Sequence, residues 1–278
     1  MTRREFIVGS VAASGLRGFG GATRRGPRLA FQVYGVRDLC AKDLLGTLKA
    51  AKAMGYEGVE TGRFYGLRAA DWKAMCADVG LELVALQLYP HTLTEPQLRE
   101  TIRFCHEAGC LRINTAWFKG SAENANDWQL VVNVLNHAAA VCAQEGIVVG
   151  YHNHAQEFHI RLDGMSALDW LYARFDARVM QEFDPGWCVL AGGDPLAWLA
   201  AHPGRNPMLH VMPAIADSAG LKPGEAGVGS VRDRADWRRI LPEAARDGAA
   251  WFVVKPTAFP DSLSDLRASR MYLKRTKE

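Results

Sequence analysis

Short apolar runs alternate with amphipathic segments along the chain from Leu29 onward. The run LAFQVY precedes KDLLGTLKAAKAMG, in which Leu44, Leu48 and Ala51 recur at helical spacing before Gly55. The same succession of apolar run and helical segment continues to the carboxyl terminus and makes eight strand–helix units. Helices between consecutive strands enforce parallel pairing, so the pattern predicts a parallel sheet covered by helices.

The number of units decides between two α/β architectures. Eight units in about 250 residues are the size of a closed (β/α)₈ barrel. The alternative, a doubly wound open sheet, usually carries a glycine-rich phosphate turn after its first strand, whereas QVYGVRDL contains a single glycine. We therefore predict one α/β domain, a single (β/α)₈ TIM barrel over residues 29–278, preceded by a separate segment at residues 1–28.

The amino-terminal segment has the pattern of an export signal. In TRREFIVGSVAASG, Arg3 and Arg4 precede a short apolar stretch, as in twin-arginine signals that carry folded proteins across the bacterial inner membrane. The alternative is a disordered basic tail. The stretch from Phe6 to Leu16 is too short to cross a bilayer, and no run of about 20 apolar residues occurs elsewhere. We expect a periplasmic or exported protein with no membrane-spanning helix.

Composition and charge narrow the class of partner. The 278 residues are 49% hydrophobic and 23% charged, which suits a globular protein with a large core. The formal net charge is +3, and basic and acidic residues are interspersed, so nothing marks a face for nucleic acid. We expect a small-molecule ligand that is neutral or weakly acidic. The sequence does not predict the oligomeric state.

The six cysteines do not form a metal or disulfide pattern. None belongs to a CxxC pair, and most lie in apolar periodic segments, so we predict small core residues. An oxidising compartment would permit a disulfide, but the spacing does not identify a pairing.

Polar residues concentrate where the predicted strands end, which is where a closed barrel places its active site. A histidine, an aspartate and a histidine end the fifth, sixth and seventh strands and converge on one mouth. Imidazole and carboxylate groups on a rigid frame suit a divalent transition metal. We predict a metal site formed by His152, Asp184 and His210.

Several segments resemble a known family. FQVYGVRDLCAKDLLGTLKAAKAMGYEGVETGRFYG, VVGYHNHAQEF, EFDPGWCVLAGGDPLAWLAAHPGR and MLHV are similar to the xylose-isomerase-like TIM barrels described as sugar phosphate isomerases/epimerases. The likeness runs from Leu29 to the end. It implies a carbohydrate-active isomerase or epimerase that shifts protons next to a sugar carbonyl with help from a divalent metal, Mn, Zn, Co or Mg. The alternatives are a 3-keto-glycoside lyase acting by β-elimination and a catalytically degenerate sugar-binding barrel.

The resemblance also exposes a departure at the metal site. It places the family's metal ligands on His152, Asp184 and His210, but WFVVKPT puts Lys255 where the eighth-strand glutamate belongs. A protonated amine cannot coordinate a metal, and a like charge at about 4 Å with an effective dielectric near 20 costs on the order of 4 kcal/mol. Three outcomes stay open: a metal held by three ligands, a metal-free enzyme in which Lys255 is electrophile, base or imine-forming amine, and an inactive scaffold.

Three further residues are candidate proton carriers. His154 follows His152 by two positions, and Glu157 lies three positions further along; Glu60 ends the second strand. Isomerisation next to a carbonyl requires such groups. The alternative for each is a hydrogen-bonded residue of the rim.

Four residues are candidates for contact with the sugar. Trp117 and Trp187 lie just past the fourth and sixth strands, where an aromatic face suits the C–H face of a sugar ring. Gln87 and Asn114 end the third and fourth strands and offer amide groups to hydroxyls.

Overall fold

Eight parallel strands close into a barrel in the computed structural model, which describes residues 26–62, 64–116, 125–217, 219–256 and 262–276. Each strand pairs with its neighbour in the chain, and the last pairs with the first. The single TIM barrel predicted from the sequence is confirmed. The strands are β1 (Arg28–Gln32), β2 (Gly58–Thr61), β3 (Glu82–Leu88), β4 (Arg112–Ala116), β5 (Val148–His152), β6 (Val179–Phe183), β7 (Met208–Val211) and β8 (Trp251–Val254).

Helices follow the strands and cover the outside of the barrel. Two of them, α3 (Ala69–Val79) and α4 (Gln97–Ala108), end at Gly80 and Gly109, whose φ angles of +78° and +74° favour glycine. Short 3₁₀ helices at Val33–Val36 and Pro90–Leu93 and a hairpin of Arg161–Leu162 with Met165–Ser166 complete the described structure. The helices are α1 (Arg37–Lys42), α2 (Leu44–Ala53), α3 (Ala69–Val79), α4 (Gln97–Ala108), α5 (Ala125–Gln144), α6 (Gln156–His159), α7 (Ala167–Tyr172), α8 (Pro185–Leu190), α9 (Pro195–Ala201), α10 (Trp237–Arg246) and α11 (Ser262–Arg275).

The interior of the barrel has an apolar lower end, which we call the barrel floor. Alternate residues of a strand point to opposite faces, so one set packs against the helices and the other fills the barrel. Gly58 lies at the floor because a Cβ there would come within 2.4 Å of Val84 Cγ1. The floor is a cluster of buried residues: Ala30, Val84, Ala85, Met208, Trp251 and Val253.

A register shift interrupts the pairing of β2 with β3. Val59 is opposite Leu83, but the next residue, Glu60, is opposite Ala85, so Val84 is the extra residue of a bulge. The bulge adds one residue to the inward face of β3. Above it, Gln87 points into the barrel.

All six cysteines are free thiols in buried positions, as predicted. The described helices include none long and apolar enough to cross a membrane. Residues 1–25 lie outside the described residues, so the export signal and the domain boundary stay predictions.

Candidate functional site

A cavity of about 1010 Å³ opens at the carboxyl ends of the strands. Its described lining is mostly apolar and aromatic, with few polar groups, as in sites for small organic ligands. The lining residues are Gln32, Val33, Tyr34, Gly62, Gln87, Leu88, Tyr89, His154, Trp187, Leu190, Met212, Pro213, Ile215, Ala216, Lys255 and Pro256.

The three residues predicted as metal ligands meet beneath this cavity. One ligand atom from each of His152, Asp184 and His210 lies within 4.8 Å of the others. His210 Nδ1 is 3.7 Å from Asp184 Oδ2, and neither atom has a hydrogen-bond partner in the described structure although both are fully buried. Unpartnered buried polar atoms are costly, so their convergence indicates a site that needs a further group.

The opposite nitrogen of each imidazole is held by an oxygen. Nδ1 of His152 lies 3.2 Å from the backbone carbonyl of Glu182, and Nε2 of His210 lies 2.8 Å from Glu60 Oε2. These contacts leave His152 Nε2 and His210 Nδ1 as the nitrogens available for a ligand. Together with Asp184 Oδ2 they form a three-donor set that fits a divalent metal with open positions.

Asn153 explains why an asparagine stands between the two histidines. Its side chain accepts a hydrogen bond from the Asp184 backbone N–H at 2.9 Å and donates one to the Asp184 carbonyl at 3.2 Å. It thereby fixes the end of β5 to the end of β6 and sets the distance between His152 and Asp184. Sequence reasoning missed this role.

His154 lines the cavity and is the proton carrier that the geometry supports. Its Nδ1 is buried without a partner, and its ring centroid lies 4.8 Å from that of His152. Burial, with the nearby charges of Lys255 and His210, lowers the pKa of His154 to about 3. The ring is therefore a neutral imidazole at physiological pH.

Glu157 lies outside the cavity, so its predicted role as a proton shuttle lacks the geometry it needs. Its carboxylate accepts hydrogen bonds from the Tyr151 hydroxyl at 2.8 Å and from the His154 backbone N–H at 2.9 Å. Tyr151 alternates with His152 on β5 and packs on the helix side, and Glu157 joins it there. Both oxygens are thus used to fix the turn that carries His154.

The aromatic candidates have different outcomes. Trp187 lines the cavity with its ring centroid 5.7 Å from that of His154, as expected for a residue that contacts the ligand. Trp117 lies outside the described residues, and its role stays a prediction.

Comparison with known proteins identifies the family of this barrel. The family model of the xylose isomerase-like TIM barrel matches residues 48–254. The chain belongs to the xylose isomerase-like TIM barrel family. No curated protein matches the sequence.

Solved members and relatives share the fold at low identity. A sugar phosphate isomerase/epimerase from Parabacteroides distasonis superposes with a TM-score of 0.73 at 22% identity, covering 90% of this chain and 98% of that one. An L-ribulose 3-epimerase gives 0.69 at 11%, covering 90% and 94%. The probable 3-DHS dehydratase AsbF from Bacillus anthracis gives 0.65 at 15%, covering 89% and 98%. At these identities the likeness shows the fold alone.

Lys255 follows β8, at the position where the resemblance to xylose isomerase-like barrels predicts a carboxylate. It lines the cavity, with Nζ 5.4 Å from the centroid of the Trp187 ring, and it makes no ion pair within the described residues. Burial lowers the pKa of Lys255, although the charges of Asp184, Glu182 and Glu60 partly offset this effect. Lysine therefore occupies the position at which the resemblance predicts the fourth metal ligand, a glutamate.

Glu182 is the functional candidate that sequence reasoning missed. It is fully buried inside the barrel, and its Oε1 lies 3.2 Å from His210 Nε2. The two atoms are close enough for an ion pair, but they are not aligned for a hydrogen bond, and Glu182 Oε1 has no hydrogen-bond partner among the described residues. A signal was available in the sequence: Glu182 lies on β6 two positions before Asp184, which directly follows the strand with extended backbone, so the two share the inward face.

The buried carboxyl groups of Glu60 and Glu182 control the charge on His210. Burial and the negative charge of Glu60 together raise the pKa of Glu182 to about 8, although His210 acts in the opposite direction. Burial alone would lower the pKa of His210, but Glu182 and Glu60 raise it well above its ordinary value. A metal ion at His210 Nδ1 would displace the proton that these carboxyl groups favour. Glu60 thus holds His210 from beneath, rather than facing the cavity as a proton carrier.

A network of amides supports the two carboxyl groups. Asn114 donates to Glu60 Oε1 at 3.2 Å, and Gln87 donates to Glu182 Oε2 at 3.4 Å. Gln32 donates to Glu60 Oε2 at 3.1 Å and also to the side-chain oxygen of Gln87. Gln87 lines the cavity as predicted, whereas Asn114 lies below it among these partners. Asn114 therefore orients Glu60, and the structure does not place it in contact with the cavity.

Proposed function

We propose that this xylose isomerase-like barrel is a carbohydrate-active isomerase or epimerase that moves a proton on a carbon next to a sugar carbonyl, assisted by a divalent metal. The observation that carries the proposal is the convergence of His152, Asp184 and His210 beneath the cavity, with Asp184 Oδ2 and His210 Nδ1 buried and unpartnered. The names of the fold neighbours, sugar phosphate isomerase/epimerase and L-ribulose 3-epimerase, agree with it.

In this proposal a bound metal and the side chains around it would have different roles. A metal on His152, Asp184 and His210 would act as a Lewis acid on the substrate carbonyl. Lys255 presents a positive charge from the neighbouring strand end, where it stabilises negative charge that develops on oxygen as the proton leaves carbon. Glu60 keeps the His210 ring in the orientation that presents Nδ1.

His154 is the base in this proposal. Its unpartnered Nδ1 can accept the proton from carbon and return it to the neighbouring carbon on the same face, as in isomerisation. Epimerisation would need a second acid or a water molecule to deliver a proton to the opposite face. An imidazole whose pKa is lowered to about 3 is a weak base, so the substrate C–H must be acidified. Lys255, and a metal if one is held by His152, Asp184 and His210, would provide that acidification.

Proton transfer can be tested by exchange with solvent. The protein is incubated in D₂O with keto-sugars and keto-glycosides, with and without Mn²⁺, and deuterium on carbon is followed by NMR. We expect incorporation that His154→Gln abolishes and that His159→Gln leaves intact, since His159 is an exposed histidine five positions away. Release of an aglycone together with exchange would identify the lyase variant of the same step. Absence of exchange across the panel would overturn the proposal in favour of a sugar-binding barrel.

The metal half of the proposal is tested at Lys255. Lys255→Glu should restore a fourth acidic ligand and remove a like charge, so Mn²⁺ should bind at least tenfold more tightly, equivalent to about 1.4 kcal/mol. Calorimetric titration of parent and variant measures the change, with Lys49→Glu on the exposed face of α2 as the matched control. Equal and weak binding by all three proteins would contradict a metal site.

Export is a second, independent part of the proposal. It rests on Arg3 and Arg4 before the apolar stretch. Replacing both with lysine should keep the protein in the cytoplasm of its bacterial host, which cell fractionation measures. A native protein found in the cytoplasm would refute the export signal.

A further inference from the structure

One tripeptide pattern occurs at the ends of two strands on the same side of the barrel. FQVYG ends β1 and LQLYP ends β3, so each strand presents Gln-x-Tyr at the mouth. Gln32 and Tyr34, and likewise Gln87 and Tyr89, all line the cavity. We call these four residues the Gln-x-Tyr wall.

The two halves of the wall are joined across β2. The amide of Gln32 donates to the side-chain oxygen of Gln87, which fixes one strand end relative to the other. Gly62 lies between them, and a Cβ at Gly62 would come within 2.4 Å of the Gln87 carbonyl oxygen. The close packing of the Gly62 backbone against Gln87, together with the Gln32–Gln87 hydrogen bond, fixes the two halves of the wall relative to each other.

The wall offers a hydrogen-bond acceptor below and aromatic rings above. Gln32 is 1% exposed, and its Oε1 has no hydrogen-bond partner among the described residues, so a hydroxyl from a ligand would satisfy it. Tyr34 and Tyr89 are 52% and 51% exposed. Each ring is oriented by a neighbour: the Arg37 guanidinium lies 4.6 Å from the Tyr34 ring centroid, and His91 stacks on Tyr89 at 5.7 Å.

The tyrosines of the wall lie across the mouth from the candidate chemistry, whereas the glutamines below them extend to Glu60 and Glu182. In the closed strand order, β1 to β3 lie opposite β5 to β7, which carry His154, Trp187 and the predicted metal ligands. A ring held against His154 and Trp187 therefore leaves the wall to another part of the ligand. The cavity of about 1010 Å³ lies at the upper end of the range of roughly 300–1000 Å³ that holds drug-sized ligands, which is more than one sugar ring needs.

We propose that the Gln-x-Tyr wall binds the second ring of a two-ring carbohydrate, a glycoside or disaccharide, whose reacting ring lies against His154 and Trp187. Gln32 Oε1 accepts a hydrogen bond from a hydroxyl of that second ring, and the tyrosines contact the C–H faces of the ring. The assignment of which ring reacts rests on the proposed function; the preference for two rings does not.

The preference is measured by calorimetry on the full chain without turnover. Cellobiose, lactose and maltose are compared with glucose and galactose, for the parent, the double variant Tyr34→Ala with Tyr89→Ala, and the control Leu130→Ala, which removes a 60% exposed side chain from α5. Thermal unfolding confirms that all three proteins fold. We expect at least one disaccharide to bind the parent about tenfold more tightly than its component sugars, as for a large aromatic contact.

The double variant should lose that tenfold difference and keep its affinity for the single sugars, while Leu130→Ala keeps both. The inference is overturned if disaccharides bind no more tightly than monosaccharides, if no sugar binds, or if the double variant keeps the preference. A disaccharide preference without deuterium exchange would leave the wall standing and refute the proposed function. Deuterium exchange without a disaccharide preference would support the proposed function and refute the role of the wall.

Discussion

The two ends of the barrel interior are built by the same eight strands and differ in almost every physical respect. The barrel floor is apolar and closely packed, with Gly58 admitting Trp251 and Val84 where a Cβ would collide. One layer higher, Glu60, Glu182 and His210 are equally buried yet ionisable, and several of their neighbours lack hydrogen-bond partners among the described residues. Burial alone therefore does not distinguish core from site in this molecule; the satisfaction of polar atoms does.

The difference separates stability from function along the barrel axis. Apolar burial and close packing stabilise the fold at the floor. Unpartnered donors and desolvated charges at the mouth cost stability and are retained where a ligand can satisfy them. Substitutions at the two ends should then have opposite consequences.

The largest expected effect is on stability at the floor. Trp251→Ala removes a buried indole that also lies under the Arg28 guanidinium at 4.1 Å. The free energy of unfolding should fall by about 3–5 kcal/mol, the usual cost of truncating a buried aromatic residue. Urea denaturation measures it. Deuterium exchange per folded molecule should be unchanged, and a stability loss below about 1 kcal/mol would contradict the division between the two ends.

The next effect is on rate at the mouth. Lys255→Met removes the charge but keeps a side chain of similar length, so kcat should fall about 10²–10³-fold, or about 3–4 kcal/mol of transition-state stabilisation. The free energy of unfolding should rise by about 1 kcal/mol because a desolvated, unpaired cation is lost. Steady-state kinetics and urea denaturation give both values. A variant that is both slower and less stable would show that Lys255 has a structural partner.

A smaller effect separates Glu157 from the cavity that its sequence position suggested. Glu157→Gln replaces one of the two accepting oxygens by an amide N–H₂, which then faces either the Tyr151 hydroxyl or the His154 N–H, so stability should fall by about 1–3 kcal/mol. The pH profile of kcat should keep its shape because the carboxyl group does not contact substrate. A lost limb of that profile would restore Glu157 as a proton carrier.

The smallest effect is expected at the thiols. Burial raises the pKa of Cys40 and Cys76 to about 11 and that of Cys110 and Cys188 to about 12. At pH 8 these thiols stay protonated, so iodoacetamide should label the native protein negligibly and the denatured protein fully. Because the raised pKa lies in the folded state, stability should fall only as the pH rises above about 9, where thiols of the unfolded chain ionise. Mass spectrometry counts the labels.

The barrel and the convergence of His152, Asp184 and His210 could be predicted because each depends on local pattern. Apolar runs alternating with helical segments specify parallel strands, and polar residues at strand ends specify the mouth. His152, Asp184 and His210 end consecutive strands, so their convergence follows from the topology.

Other parts of the site depend on contacts that no local pattern encodes. The spacing of Glu182 from Asp184 indicates its inward face, but its proximity to His210 and Glu60 results from closure of the barrel. Glu157 has the spacing of an active-site residue, but the turn after His154 carries it to the helix side. Lys255 was visible as a departure from the family, whereas its distance to Trp187 required the fold.

The bulge at Val84 has a consequence for what the mouth can recognise. Below it, the outward residue of β3 is odd-numbered, Leu83; above it the outward residues are even-numbered, Leu86 and Leu88. The bulge therefore decides which face each later residue takes. If the same sequence ran on from Leu83 in regular alternation, without the bulge, the sets would be exchanged, with the two leucines in the mouth and Gln87 against the helices. The bulge, as much as the residue types above it, thus decides which side chains of β3 a ligand meets.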